Sequence, residues 1–215
     1  MRIQATMIAA ALLTEGCAVT PSPPPAAQFA AVEVQAEPEW RRLASAEDIE
    51  RLGRTDAAWS AALEQIRAGH FTRALREEGE LLEPEAALPR PDLPPGSYHC
   101  RLLRISQGDR RRPPVVSFRP FYCHVADAGE QLAFTKQTGS ERPAGYFYRD
   151  EQRDRLIFLG TLTVGSGEPA PYDGSDPRDM IGFVERVGPF RWRLVLPRPR
   201  SGATLEVMEL VPALP

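Results

Sequence analysis

From residue 97 to residue 211 the chain runs as short segments, 97–105, 115–125, 131–136, 144–149, 155–164, 180–187, 190–196 and 203–211. Each is rich in β-branched and aromatic residues and bounded by Gly, Pro or Asp. No helical periodicity interrupts them, which argues against parallel strands joined by helical crossovers and for antiparallel pairing. The expected architecture of residues 96–213 is an antiparallel β-meander closed into a small barrel or a barrel-like sheet. The hairpin at Gly188-Pro189 shows the logic locally: Phe190, Trp192, Leu194 and Leu196 alternate with Arg191 and Arg193, which predicts one core face and one wet face.

The chain before this region has a different period. Ser45 is placed to cap a helix with Asp48 three residues on, and Ile49, Leu52, Trp59, Leu63 and Ile66 recur at helical spacing. One helix over about 46–67 is expected, with Gly53 as its weak point, then a stop at Gly69 and a shorter helix running to Pro84. These form a helical hairpin over residues 41–83, and the fold class is α+β. Residues 84–95, PEAALPRPDLPP, hold five prolines and read as an extended strap between the helices and the sheet.

Residues 1–18 have the layout of an export signal: Arg2, an apolar stretch over 3–13 far too short to span a bilayer, then small residues. Two processing routes fit. Gly16-Cys17 suits lipidation of Cys17, although Glu15 is a poor neighbour for such a site; cleavage after Ala18 would instead remove Cys17. Residues 19–40 are rich in Pro and Ala with few large apolar groups, and read as a disordered tether. The expected location is the periplasm or cell envelope, with membrane contact only through the possible lipid anchor.

Three cysteines are present, and acylation or removal of Cys17 leaves Cys100 and Cys123 to pair. An oxidising compartment makes that pair a disulfide; in a cytosolic chain they would be two buried thiols. Setting Cys100 directly opposite Cys123 places His99 opposite His124 on the other face of the sheet, a two-imidazole candidate metal site. Zinc ordinarily takes three or four protein ligands, so solvent-facing histidines beside a structural disulfide are the plainer reading. Pro120 threatens that register, because it cannot donate to a ladder.

Net charge is −3, which gives no electrostatic case for nucleic acid. Lys136 is the only lysine, so the other 25 of the 26 basic residues are arginines. The run from Asp109 through Arg110, Arg111 and Arg112 to Pro114 reads as a solvated loop. Asp173, Asp176 and Asp179 lie close in sequence but lack the spacing of an EF-hand loop, so a turn-rich connection is expected. Ser166 sits between glycines without the strand-to-helix context of a nucleophile elbow. The stretch 138–145 could form the mouth of a barrel, with Glu141 and Arg142 as a surface pair, and His70 reads as a polar helix terminus. No catalytic or cofactor motif is visible.

The phrases TDAAWSAALEQ (55–65), EGELLEPEAALPRPDLPPGSYHCRLLRI (78–105), FTKQTGSERPAGYFY (134–148), RLIFLGTLTVG (155–165) and DMIGFVERVGPFRWRLVLPRP (179–199) follow one another in the order found in an uncharacterised bacterial envelope family, domain of unknown function 4893. The resemblance covers about residues 40–212. It implies an exported bacterial protein led by a signal peptide, and it lends no activity, ligand or catalytic residue. Three functional classes follow. The first is a non-enzymatic binding or interaction module whose partner is an envelope protein or a small ligand. The second is a carrier holding an apolar guest inside the barrel. The third is a metal-dependent or hydrolytic enzyme, whose weakness is the lack of any nucleophile and base pairing.

Overall fold

In the computed structural model, which describes residues 37–109 and 111–213, nine antiparallel strands form one sheet whose last strand returns to the first. The strands are β1 (Gly96–Ile105), β2 (Val115–Ser117), β3 (Phe121–Ala128), β4 (Gln131–Lys136), β5 (Glu141–Arg149), β6 (Arg155–Val164), β7 (Asp179–Gly188), β8 (Arg191–Pro197) and β9 (Leu205–Pro212). On one side β1 pairs along its length with β9, from Tyr98↔Pro212 to Ile105↔Leu205. On the other side its first half pairs with β3 and its second half with β2. Eight strands thus close a barrel, as the meander pattern predicts, and β2 lies as a short supplement at the rim.

Alternation decides what faces inward. Tyr98, Cys100 and Leu102 of β1 point inside with Phe134, Phe147, Phe158, Trp192, Leu194 and Leu210. The alternate residues Leu103 and Ile105 of β1, Ile157 and Leu159 of β6, Phe183 of β7, Val195 of β8 and Val207 of β9 point outward and are equally buried. They are covered by α1 (Glu39–Leu43), α2 (Ala46–Gly53), α3 (Thr55–Ala68), α4 (Thr72–Glu78) and a 3₁₀ turn, Gly79–Leu82, through Trp40, Trp59, Ala62, Ile66 and Leu81. The described residues therefore form two cores, one inside the barrel and one between the barrel and its helical layer.

That layer overturns the expectation of a wet face on β8. Arg193 is 0% exposed. Its Nε donates to Glu185 Oε2 at 2.8 Å, and its terminal nitrogens donate to the carbonyls of Glu80, Leu81, Glu83 and Pro84 at 2.6–3.3 Å. Phe190 departs in the other direction: it lies beyond the last β7–β8 pair, Gly188↔Arg191, and is 72% exposed.

The single helix expected over 46–67 is two. Ser45 Oγ accepts from the Asp48 amide at 3.2 Å and starts α2 as anticipated. The helix stops at Gly53, a weak helix former, and the Thr55 hydroxyl donates to the Leu52 carbonyl at 2.6 Å. The expected strand 115–125 is also two, β2 and β3, broken around Pro120. The strap 84–95 carries no regular structure apart from a bridge between Leu88 and Arg186. Residues 1–18, Cys17 and nearly all of the tether lie outside the described residues.

Candidate functional site: the open end of the barrel

The two ends of the barrel are built differently. At one end the strands are joined by the short turns 129–130, 150–154 and 189–190, and the strap lies across the opening. Leu93 of the strap is buried among the interior side chains. Trp192 Nε1 donates to the Pro91 carbonyl at 3.0 Å, and the Tyr98 hydroxyl donates to the Pro94 carbonyl at 2.6 Å. Burial pushes the Tyr98 hydroxyl up to about 12. The prolines have a local reason here: a segment poor in amide donors can cross a barrel end while offering its carbonyls inward.

The middle of the barrel is solid. Phe134, Phe147 and Phe158 pack with ring centroids 5.5–5.8 Å apart. Space for these rings comes from Gly145 and Gly160, directly opposed on β5 and β6, where a Cβ on either residue would run into the neighbouring main chain. The disulfide between Cys100 and Cys123 lies in the same interior layer, with both residues fully enclosed and their Cα atoms 6.1 Å apart.

At the other end the long connections 106–120, 165–178 and 198–204, with the short turn 137–140, surround an opening. Beneath it is a cavity of about 180 Å³. Its walls are Leu102, Pro143, Leu162, Met180, Leu196 and Met208, and its rim carries Arg104, Lys136, Glu141, Arg178, Arg200, Ser201 and Glu206. A more open hollow shares Leu102, Lys136 and Glu141 with it and continues to Phe118, Pro120 and Phe121.

The rim charges are arranged unequally. Arg104 Nε donates to Glu206 Oε1 at 2.5 Å, and Arg104 Nη2 lies 3.7 Å from Glu141 Oε2. Ser201 Oγ also donates to Glu206 Oε1, at 3.0 Å. Arg178 pairs with Asp176 at 2.6 Å, and the Arg200 guanidinium donates to the Asp179 carbonyl at 3.0 Å. Lys136 makes no ion pair with a described residue; its ammonium sits 4.2 Å from the centre of the Phe121 ring. Burial lowers the Lys136 pKa, an effect opposed by the charges of Glu141 and Glu206 and reinforced by Arg104.

The sequence-derived candidates fall elsewhere. Cys100 and Cys123 are bonded, but in a register two residues from the one expected: Tyr98 opposes Cys123, Cys100 opposes Phe121, and the disulfide runs diagonally. The physical reason is that a two-residue slip leaves every side chain on its own face, so alternation cannot tell the two registers apart. His99 consequently opposes Tyr122, with ring centroids 5.1 Å apart, while His124 opposes Ser97. Both histidines are on the outer face of β1 and β3. Among the described residues no group of three His, Cys, Asp or Glu side chains is gathered to hold a metal ion.

Asp173 Oδ1 accepts from Ser175 and from the Asp176 amide, and Asp179 Oδ2 accepts from that same amide, so these carboxylates bind their own connection. Glu141 and Arg142 do not form a surface pair. Glu141 lines the mouth, whereas Arg142 donates to the carbonyls of Gly165 and Gly167 at 2.6 and 2.9 Å. His70 stands just past the end of α3 with a positive φ of 64°.

Sequence reasoning missed Arg104, Lys136 and Glu206. The signal was present: Arg104 is in phase with the apolar Tyr98, Cys100 and Leu102, Lys136 with Phe134, and Glu206 with Met208 and Leu210. A charge at an inward position of an otherwise apolar strand face marks the place where the interior stops being dry. No curated protein and no solved structure matches the chain. Over residues 40–210 it matches the family described as Domain of unknown function (DUF4893), and the chain belongs to that family.

Proposed function

We propose that this is an exported, non-enzymatic binding protein that holds one small ligand in the open end of its barrel. The observation carrying the reading is the asymmetry of the interior: one end plugged by the strap, the middle filled by aromatic rings, the other end hollow beneath the longest loops. An eight-stranded barrel is just wide enough to be filled by its own side chains or to hold one small guest, and this one does the first at one end and offers room for the second at the other. A cavity of about 180 Å³ compares with the roughly 150 Å³ that accommodates benzene. Export is supported by the Cys100–Cys123 disulfide, a bond favoured in oxidising compartments, and by the signal pattern of residues 1–18.

The test of binding is methyl NMR with benzyl alcohol as a probe. Resonances of Leu102, Leu162, Leu196, Met180 and Met208 should shift together while those of Leu81 and Ile66, in the outer core, stay in place. No movement of the cavity methyls at millimolar probe would overturn the reading. Export is tested separately by the mass of the mature chain from the envelope fraction of a bacterial host. A chain starting at Cys17 with acyl groups attached, or starting after Ala18, supports it; an intact Met1 does not.

A further inference from the structure

We infer that the ligand is a small carboxylic acid, an apolar body of about benzene size with one acidic head, and that Lys136 holds the head. This rests on the reading of the barrel mouth as a ligand site and concerns what the site selects.

Four observations converge. The cavity walls are leucine, methionine and proline, so the part of the ligand that enters must be apolar. The lining carries Arg104, Lys136, Arg178 and Arg200 against Glu141 and Glu206, an excess of two positive charges in a chain whose net charge is −3. The two acids lie nearest to Arg104, at 2.5 and 3.7 Å, and Arg178 has Asp176. Two of the cations have no carboxylate of a described residue in ion-pair contact: the Arg200 guanidinium is engaged by the Asp179 carbonyl at 3.0 Å, whereas Lys136 faces inward from the end of β4 with the Phe121 ring against its ammonium.

The position of Lys136 matters as much as its charge. It belongs both to the cavity lining and to the lining of the adjoining hollow with Phe118 and Phe121, so it stands where the apolar pocket meets the opening. An acid whose body fills the cavity would present its head at that seam. An ammonium half removed from water, with Glu141 and Glu206 near enough to act on it but neither in ion-pair contact, gains from a carboxylate that reaches it directly, whereas a neutral ligand of the same shape offers no such gain. A single compact cation with three donors suits a monoanion. The occurrence of only one lysine among the basic residues makes the site easy to observe without altering it.

The experiment compares 3-phenylpropanoate, 3-phenylpropan-1-ol and 3-phenylpropylamine by calorimetry on the whole protein, alongside the side-chain NMR resonance of isotopically labelled lysine. The acid should bind at least about tenfold more tightly than the alcohol, and the amine more weakly than either. The lysine resonance should move with the acid and not with the alcohol. Lys136→Met should bring the acid to the affinity of the alcohol while leaving the alcohol unchanged, and Lys136→Arg should restore part of the preference. Should Lys136→Met fail to fold, the unmodified protein's lysine resonance decides alone. Equal affinities for acid and alcohol would overturn the inference but leave the pocket a ligand site. Tighter binding of the amine would overturn it by sign, and no binding of any of the three would remove the ligand reading with it.

Discussion

Replacing Arg193 by methionine tests whether the helical layer is held to the barrel by one buried guanidinium. Arg193 donates to Glu185 and to the carbonyls of Glu80, Leu81, Glu83 and Pro84, and it stacks 5.0 Å from the centre of the Trp59 ring. Water cannot take over these contacts, because the residue has no exposed surface. Methionine fills a similar volume but leaves four carbonyls short of a donor and one carboxylate without its cation. Removing one partner of a buried pair costs roughly 3–5 kcal/mol, and that figure is the ceiling here because the lost bonds act as a unit and do not sum. For a domain of this size the melting temperature should fall by about 6–20 °C. The loss should also depend on pH. Burial already pushes the Glu185 carboxyl above its ordinary 4.5, and without Arg193 it rises further. The folded variant then keeps a proton that the unfolded chain releases, so its stability is greatest below 4.5 and declines as pH rises through the raised folded value. Urea unfolding at two pH values measures both effects. A loss under about 1 kcal/mol, with no pH dependence, would refute the argument that this pair anchors the layer.

Two further outcomes follow from the barrel interior and its supports. Cys100→Ser should lower stability by about 3 kcal/mol, since the bridge closes a loop with a sequence separation of 23; equal melting temperatures with and without reductant in the unmodified protein would show that the bond is absent. Tyr98 and Tyr172 are both pushed up to about 12, Tyr98 by burial and Tyr172 by burial and then by its hydrogen bond to Asp48. Their folded values exceed the unfolded value of 10.0, so their contribution is complete below pH 10.0 and is lost as pH climbs through about 12. Ultraviolet difference titration of Tyr98→Phe and Tyr172→Phe should each lose amplitude near the alkaline unfolding transition; loss of amplitude at ordinary tyrosine pH instead would refute the assignment.

The strands were legible because a half-buried strand writes its period into the sequence. The segments 131–136 and 155–164 match β4 and β6 residue for residue, and the barrel follows from the absence of helical spacing between them. Faces were legible, but what covers a face was not. Arg193 alternates with Trp192 and Leu194 like any solvated arginine, and only the helical layer, brought over it by the hydrophobic side of α3, turns it into a buried anchor. Register was hidden for a related reason: Cys100 and Cys123 face inward in either of two pairings, so their bond could be anticipated while the position of His99 relative to His124 could not.

The mouth was the hardest feature to read, although its residues are close to the best-read strands. Arg104, Lys136 and Glu206 stand where β1, β4 and β9 reach the rim, each one step beyond a buried apolar residue on the same face. Taken singly, each looks like the polar end of a strand. Taken in phase, they form a charged ring above an apolar floor, and such a ring is consistent with two uses. It can close on itself through ion pairs and cap the barrel, or it can leave one charge unanswered and draw in a counter-ion. Arg104 with Glu206 follows the first course. Lys136, with the Phe121 ring against its ammonium and no carboxylate of a described residue in ion-pair contact, is open to the second, which is the ground for proposing the open end as a site while the strapped end is a plug.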